Sequence, residues 1–193
     1  MEREQWLTER RKGIGGSDAA AVLGLNPYSS PLAVYLDKIG EGEKFEGNER
    51  TEWGLKLEKL IVAEYELRTG VPVTHNTEQI ISVHPDLPWM CCTLDAVAHD
   101  PVRGPGVLQA KNVDRYMQGE WNEQVPEHYL IQLMHEIGVT GYSWGALVVL
   151  IGGNEWKRYE FDRDEQLISL IIEKERDFWF GNVVARIPPD PTG

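Results

Sequence analysis

The chain has 193 residues with 19 basic and 31 acidic side chains, a formal net charge of −12. That length suits one ordinary domain with a sizeable core, and the acidic excess excludes a surface built to coat polyanions generally. DNA remains compatible with it if contact is confined to a locally basic or metal-filled channel, because fields are short-ranged at physiological salt and focused in clefts. No apolar run approaches the roughly 18 to 20 residues of a membrane span, and no charged-then-apolar signal opens the chain. Cys91 and Cys92 are the only cysteines, and neighbours on a strand point to opposite faces, so no disulfide is expected between them. The expected setting is the reducing cytoplasm, without membrane contact.

Segment 1–40 reads as a helical motif: a short helix, a break at Gly13, Gly15 and Gly16, and two further helices. Ser17 or Asp18 is the expected N-cap of "AAAVLG", Gly24 its stop, and "NPYSSP" the cap of "LAVYLDKIG". The glycines let the backbone come close to a ligand at a helix N-terminus, although a plain turn explains them equally well. "EGEKFEGNER" reads as an exposed connection. "TEWGLKLEKLIVAEYELRTG" is the strongest helix, with Leu57, Leu60, Ile61, Glu64 and Tyr65 at helical spacing, Glu58 at the edge of the apolar face and Gly70 as terminator.

After "VPVTHN" the periodicity changes. "TEQIISV", "WMCCTLDAVAHD", "GVLQAKNV" and "SWGALVVLIGG" are short, rich in β-formers and separated by turn signals, and so are expected strands. "DPVRGPG" has hairpin length and places Asp95 beside segment 107–111. Between the last two strands "PEHYLIQLMHEIG" reads as a helix with Pro126 in its first turn and Gly138 past its end. A strand, helix, strand order predicts a crossover onto a mixed sheet. "EWKRYEFDRD" pairs back through "GGN", "EQLISLIIEKERDFWFGNVV" is a final amphipathic helix, and residues 186–193 form a proline-rich tail expected to be mobile.

One constellation carries chemistry. Gln109 and Lys111 are two apart on an expected strand and share a face beside Asp95. Taken alone, Asp95 and Lys111 make an ordinary cross-strand ion pair. Similarly, Arg10, Arg11 and Lys12 read as a solvated cluster at a helix end. The histidines show no metal-ligand spacing, and the tryptophans suit a core or an interface better than base stacking.

"LDAVAHDPVRGPGVLQAKN" resembles the Asp, then Glu-x-Lys core of the PD-(D/E)XK nucleases, with Gln109 where the glutamate belongs. "RRKGIGGSDAAAVLGLNPYSSP", "WGLKLEKLIVAEY" and "PEHYLIQLMHE" resemble, in order, the opening motif, a glutamate-bearing helix and the Tyr-x-x-Gln helix of YqaJ-type viral recombinases, relatives of the lambda exonuclease. The resemblance runs from about Trp6 to Ile151. It implies an α/β restriction-endonuclease-like fold, a central mixed β-sheet flanked by helices, in a single exonuclease domain over 1–193 with its nuclease core at about 51–180. It further implies a Mg²⁺-dependent (Mn²⁺ as a substitute) 5′ to 3′ exonuclease on linear double-stranded DNA. The partners it implies are DNA with a free end, two further copies in a homotrimer and a single-strand annealing protein, in phage or prophage recombination within a bacterial host.

Carried over by position, Asp95, Gln109, the Ala110 carbonyl and Glu58 would hold metal, and Lys111 would be the catalytic lysine. Gln132 and Tyr129 would form the active-site wall, and Arg11 (or Arg10) with Ser17 would bind phosphate near the 5′ end. Glutamine keeps the shape of glutamate without its charge, so metal binding and turnover are expected to be impaired. A substitution introduced to inactivate the enzyme and a naturally inactive DNA-binding or scaffold member both fit that pattern, and an endonuclease of the same fold is a further alternative.

Overall fold

The computed structural model describes residues 3–42, 47–122 and 124–190. Its main sheet holds β1 (Val73–His75), β4 (Ala96–Asp100), β5 (Gly104–Val113), β6 (Trp144–Ile151) and β7 (Glu155–Asp162), in the order β1-β4-β5-β6-β7. β4 and β5 are antiparallel, β5 and β6 parallel, β6 and β7 antiparallel, so the sheet is mixed as expected. The crossover that allows β6 to lie parallel to β5 contains α5 (Glu127–Thr140). β6 is apolar along nearly its whole length and buried on both faces, the pattern of a central strand covered by helices.

Helices flank both faces. On one, α4 (Glu49–Thr69) sets Ile61, Val62 and Tyr65 against Ala96, Leu108, Ala146 and Val148. On the other, α2 (Gly16–Val22), α3 (Pro31–Ile39), α5 and α6 (Glu165–Phe178) cover Val107 and Leu147. Alternate residues of β5 thus enter two separate cores, and this decides which helix each site residue meets. Among the described residues, no helix is long and apolar enough to cross a membrane.

Several elements differ from expectation for local reasons. "WMCCTLDAVAHD" does not form one strand: β3 (Cys91–Cys92) pairs with β2 (Ser82–Val83) in a small second sheet, and β4 starts only at Ala96. The Asn76 amide holds the break by donating to the Leu94 and Ile80 carbonyls at 3.1 and 3.0 Å. "TEQIISV" therefore contributes only its last two residues as strand, and β1, within "VPVTHN", is an additional strand paired with β4. α2 is capped by Gly15, not by Ser17 or Asp18, while the Asp18 carboxylate accepts from the Gly15 N–H at 3.0 Å.

α4 begins at Glu49, inside the expected connection, because Asn48 caps it through the Thr51 N–H at 2.9 Å; residues 43–46 of that connection lie outside the described residues. Gly138 lies within α5, pressed against Ile168 and Met90, and the helix stops at Gly141. Arg115–Trp121 forms a 3-10 helix that buries Trp121, and α6 passes into a π-helical turn over Trp179–Val184. In the tail, the Ile187 N–H donates to the Asn182 carbonyl at 3.0 Å, and residues 191–193 lie outside the described residues. Both cysteines are free and buried.

A buried charge network joins the first three helices. The Lys38 ammonium, with its side chain fully buried, lies 2.7 Å from Asp18, which also pairs with Arg10 at 3.1 Å. Burial alone would raise the Asp18 pKa, but Lys38 and Arg10 overcome it and bring it down to about 2. Because the folded pKa is depressed, this pairing contributes stability above about pH 4 that is lost as pH falls toward 2, worth roughly 2 kcal/mol. Asp18→Asn is expected to cost about 2 kcal/mol, because it leaves buried Lys38 to the more distant Asp37 carboxylate at 3.6 Å, and to flatten the acid limb of stability; urea unfolding from about pH 2 to pH 7 measures both.

Candidate active site

Strand β5 brings Gln109 and Lys111 to the face covered by α5, while Ala110 between them packs toward α4. Asp95 lies one residue before β4, and since Ala96 pairs with Leu108 the register sets Asp95 beside Gln109. Its Oδ2 accepts a hydrogen bond from the Ala110 main-chain N–H at 2.8 Å. The hairpin thus brings Asp95 to segment 107–111, as the loop length predicted.

From Lys111 a chain of contacts runs along α5. Its Nζ donates to Gln132 Oε1 at 3.1 Å and lies 5.1 Å from the centre of the Tyr129 ring. Gln132 Nε2 donates in turn to Glu136 Oε1 at 3.0 Å. Glu136 is 2% exposed and Gln109 1%. The Gln109 amide lies against the Glu136 carboxylate and favours its charge, but without hydrogen-bond geometry: Gln109 Oε1 and Nε2 and Glu136 Oε2 all lack a partner. Glu58 faces Asp95 from α4, on the opposite side of β5 from α5.

The carboxyls here are held out of their ordinary range. Burial and then the charge of Asp95 push Glu136 up to about 7, against the opposing effects of Gln132, Lys111 and Gln109. Glu58 is likewise raised to about 7 by burial and by Asp95, against Lys111 and Lys59. Burial also raises Asp95, opposed by Lys111 and by the Ala110 N–H. Burial, and at Glu58 and Glu136 repulsion by Asp95, with one lysine facing all three, keep these carboxyls reluctant to ionise.

The donors suit a hard cation. Carboxylate oxygens and the orphaned, buried Gln109 Oε1 are the ligands Mg²⁺ and Mn²⁺ take. Among the described residues, no three His, Cys, Asp or Glu side chains converge closely enough to cage a metal. A cation here would therefore draw on amide and main-chain oxygens and keep part of its water, which is the habit of Mg²⁺.

A cavity of about 160 Å³ adjoins this centre, lined by Arg10, Ser17, Thr93, Gln132 and Glu136 among others. The Arg10 guanidinium donates to Ser17 Oγ, and Trp6 Nε1 donates to Thr93 Oγ1 at 3.2 Å. Arg11 turns away and pairs with Asp37 at 3.2 Å, so of the two arginines considered at this position Arg10 is the one that reaches the cavity. Lys12 is held by Glu9 at 2.6 Å. A larger cleft of about 690 Å³ shares Ile81 and Cys91 with this cavity and so continues from it along the end of α1 (Arg3–Arg10) and the β2–β3 hairpin. Glu136, Thr93 and Trp6 were absent from the residues expected at the site. Glu136 was findable, since it lies one helical turn after Gln132 on the same face.

A profile of the YqaJ-like viral recombinase domain matches residues 5–143, which include every one of these site residues. The chain is also 37% identical to the uncharacterized protein YqaJ of Bacillus subtilis over 98% of its own length. The chain belongs to the YqaJ-like viral recombinase domain family. It spans 59% of the length of that Bacillus relative. Family membership agrees with the fold: an alkaline exonuclease of Laribacter hongkongensis superposes with a TM-score of 0.75 at 18% identity, covering 95% of this chain and 94% of that one. A phage-related exonuclease of Haemophilus somnus gives 0.68 at 13% identity, covering 91% and 96%. The α/β restriction-endonuclease-like architecture is thus that of solved exonucleases. African swine fever virus protein D345L is 37% identical over 57 residues, 30% of this chain and 16% of its own.

The raised carboxyls make metal-free stability depend on pH. A carboxyl whose folded pKa lies near 7 holds a proton that the unfolded chain releases near 4.5, so its contribution is full below about pH 4.5 and is lost as pH rises through 7. Glu136→Gln is expected to flatten the decline between about pH 5 and pH 8; urea unfolding in EDTA tests this, and an unchanged slope would contradict the assignment.

Proposed function

We propose that this domain is a Mg²⁺-dependent exonuclease that degrades linear double-stranded DNA from 5′ to 3′, in phage-type recombination. The observation that carries this reading is the grouping of Asp95, Gln109, Ala110 and Lys111 at the β4–β5 junction, next to a cavity walled by Arg10, Ser17 and Gln132. Asp95, Gln109 Oε1, the Ala110 carbonyl and Glu58 would hold the cation, which supplies Lewis acidity and neutralises charge on the phosphate. Asp95 is fixed for this by the Ala110 N–H. Lys111, steadied by Gln132 and the Tyr129 ring, would offer its ammonium to a nucleophilic water and to charge developing on the phosphate. Arg10 and Ser17 bind the terminal phosphate, and Arg11 serves the α3 side through Asp37.

The family and the fold of the two exonucleases support nuclease chemistry. Direction, metal identity, a homotrimer around DNA and hand-over of the exposed 3′ strand to an annealing protein extend that reading, as does the host-cell cytoplasm as its place of action. The loss of activity expected from Gln109 counts β5 as the source of the second carboxylate, and the buried Glu136 alters that count.

Labelled linear duplex and closed circular duplex are incubated with Mg²⁺ and the chain, its Gln109→Glu variant or its Lys111→Ala variant. Digestion of linear DNA from 5′ ends by the chain or by Gln109→Glu is expected, with Lys111→Ala slowed by about a hundredfold or more and circular DNA intact. Cleavage of the circle would replace the exonuclease with an endonuclease, and no digestion by either of the first two proteins would leave a DNA-binding scaffold.

A further inference from the structure

Glu136 is buried on α5 with one oxygen engaged by Gln132 and the other, Oε2, without a partner. Against it lies the Gln109 amide, also buried, with neither end satisfied. Leaving a carboxylate oxygen and both ends of an amide open in the interior costs free energy that packing does not return, so such an arrangement points to a ligand. The charged groups that face Glu136 are Asp95 and Lys111, the two defining residues of the candidate active site. α2 packs closely on this carboxylate: a Cβ at Gly16 would sit 2.5 Å from Glu136 Oε1, so a side chain there would have to displace it.

We propose that Glu136, carried on helix α5, supplies from behind Gln109 the negative charge that position 109 on strand β5 lacks, and that Gln109 is its matched partner and not a lesion. The proposal rests on the nuclease reading above. The Gln109 amide has its Nε2 available for the open oxygen of Glu136 and its Oε1 available as an uncharged ligand on the Asp95 side. The negative charge that a glutamate at 109 would bring is returned from one layer behind. A glutamate at 109 with Glu136 retained would set it against two carboxylates with Lys111 facing all of them, so an amide at one position suits an acid at the other. Glu136 is a positioning residue, acting on the cation through Gln109 and through its field.

Mn²⁺ binding, measured by calorimetry and by the Mn²⁺ spin-resonance signal, distinguishes this from a structural role. The proteins compared are the parent chain, Glu136→Gln, Gln109→Glu and the double variant Gln109→Glu/Glu136→Gln. All are isosteric, and thermal melts confirm that they are folded. Glu136→Gln is expected to weaken Mn²⁺ binding by about tenfold or more, and the double variant to return to within about threefold of the parent. An unchanged affinity in Glu136→Gln, or a double variant as weak as that single one, overturns the proposal. With the parent still binding Mn²⁺ and cutting DNA, either result leaves the nuclease reading intact. If neither the parent nor Gln109→Glu binds Mn²⁺ or cuts DNA, the nuclease reading falls and this proposal with it.

Discussion

Carboxylates dislike leaving water, and this fold gathers several of them in its interior with little to balance them. Lys111 is the cation that faces Asp95, Glu58 and Glu136 alike. One ammonium does not neutralise three acids, so burial, with repulsion by Asp95 at the other two, raises all three carboxyls above their ordinary range. β5 supplies the lysine, the Ala110 N–H ties down Asp95, and the amides of Gln132 and Gln109 spread what remains.

The sheet lets two helices approach this centre without interfering. Because residues alternate across β5, Leu108 enters the α4 core and Val107 the α5 core, and the chemistry inherits that division. Glu58 arrives from one side, Gln132 and Glu136 from the other, and β5 is paired on both edges by β4 and β6.

Much of this was legible in the sequence. The order of elements, the mixed sheet and the meeting of Asp95 with 107–111 came from periodicity and loop length, and the family from ordered motifs. What escaped was set by partners distant along the chain. The break after Cys92 depends on Asn76 reaching Leu94 and Ile80, which no local pattern encodes. Gly138 looked like a terminator because a glycine inside a helix is costly, and here close contact with Ile168 and Met90 outweighs that cost. Arg10 and Arg11 are neighbours of one type, and only the position of Asp37 on α3 separates their directions. Glu136 sits on α5, whereas the motif puts the second acid on the strand at 109, and only the folded packing of α5 on β5 brings the two together.

The approach of α2 to α5 at Gly16 has an evolutionary consequence. A side chain at 16 collides with the carboxylate at 136, and the acid at 136 lies against the amide at 109. The three positions lie far apart in the chain, yet they occupy one small volume, so drift at any of them is conditioned by the other two.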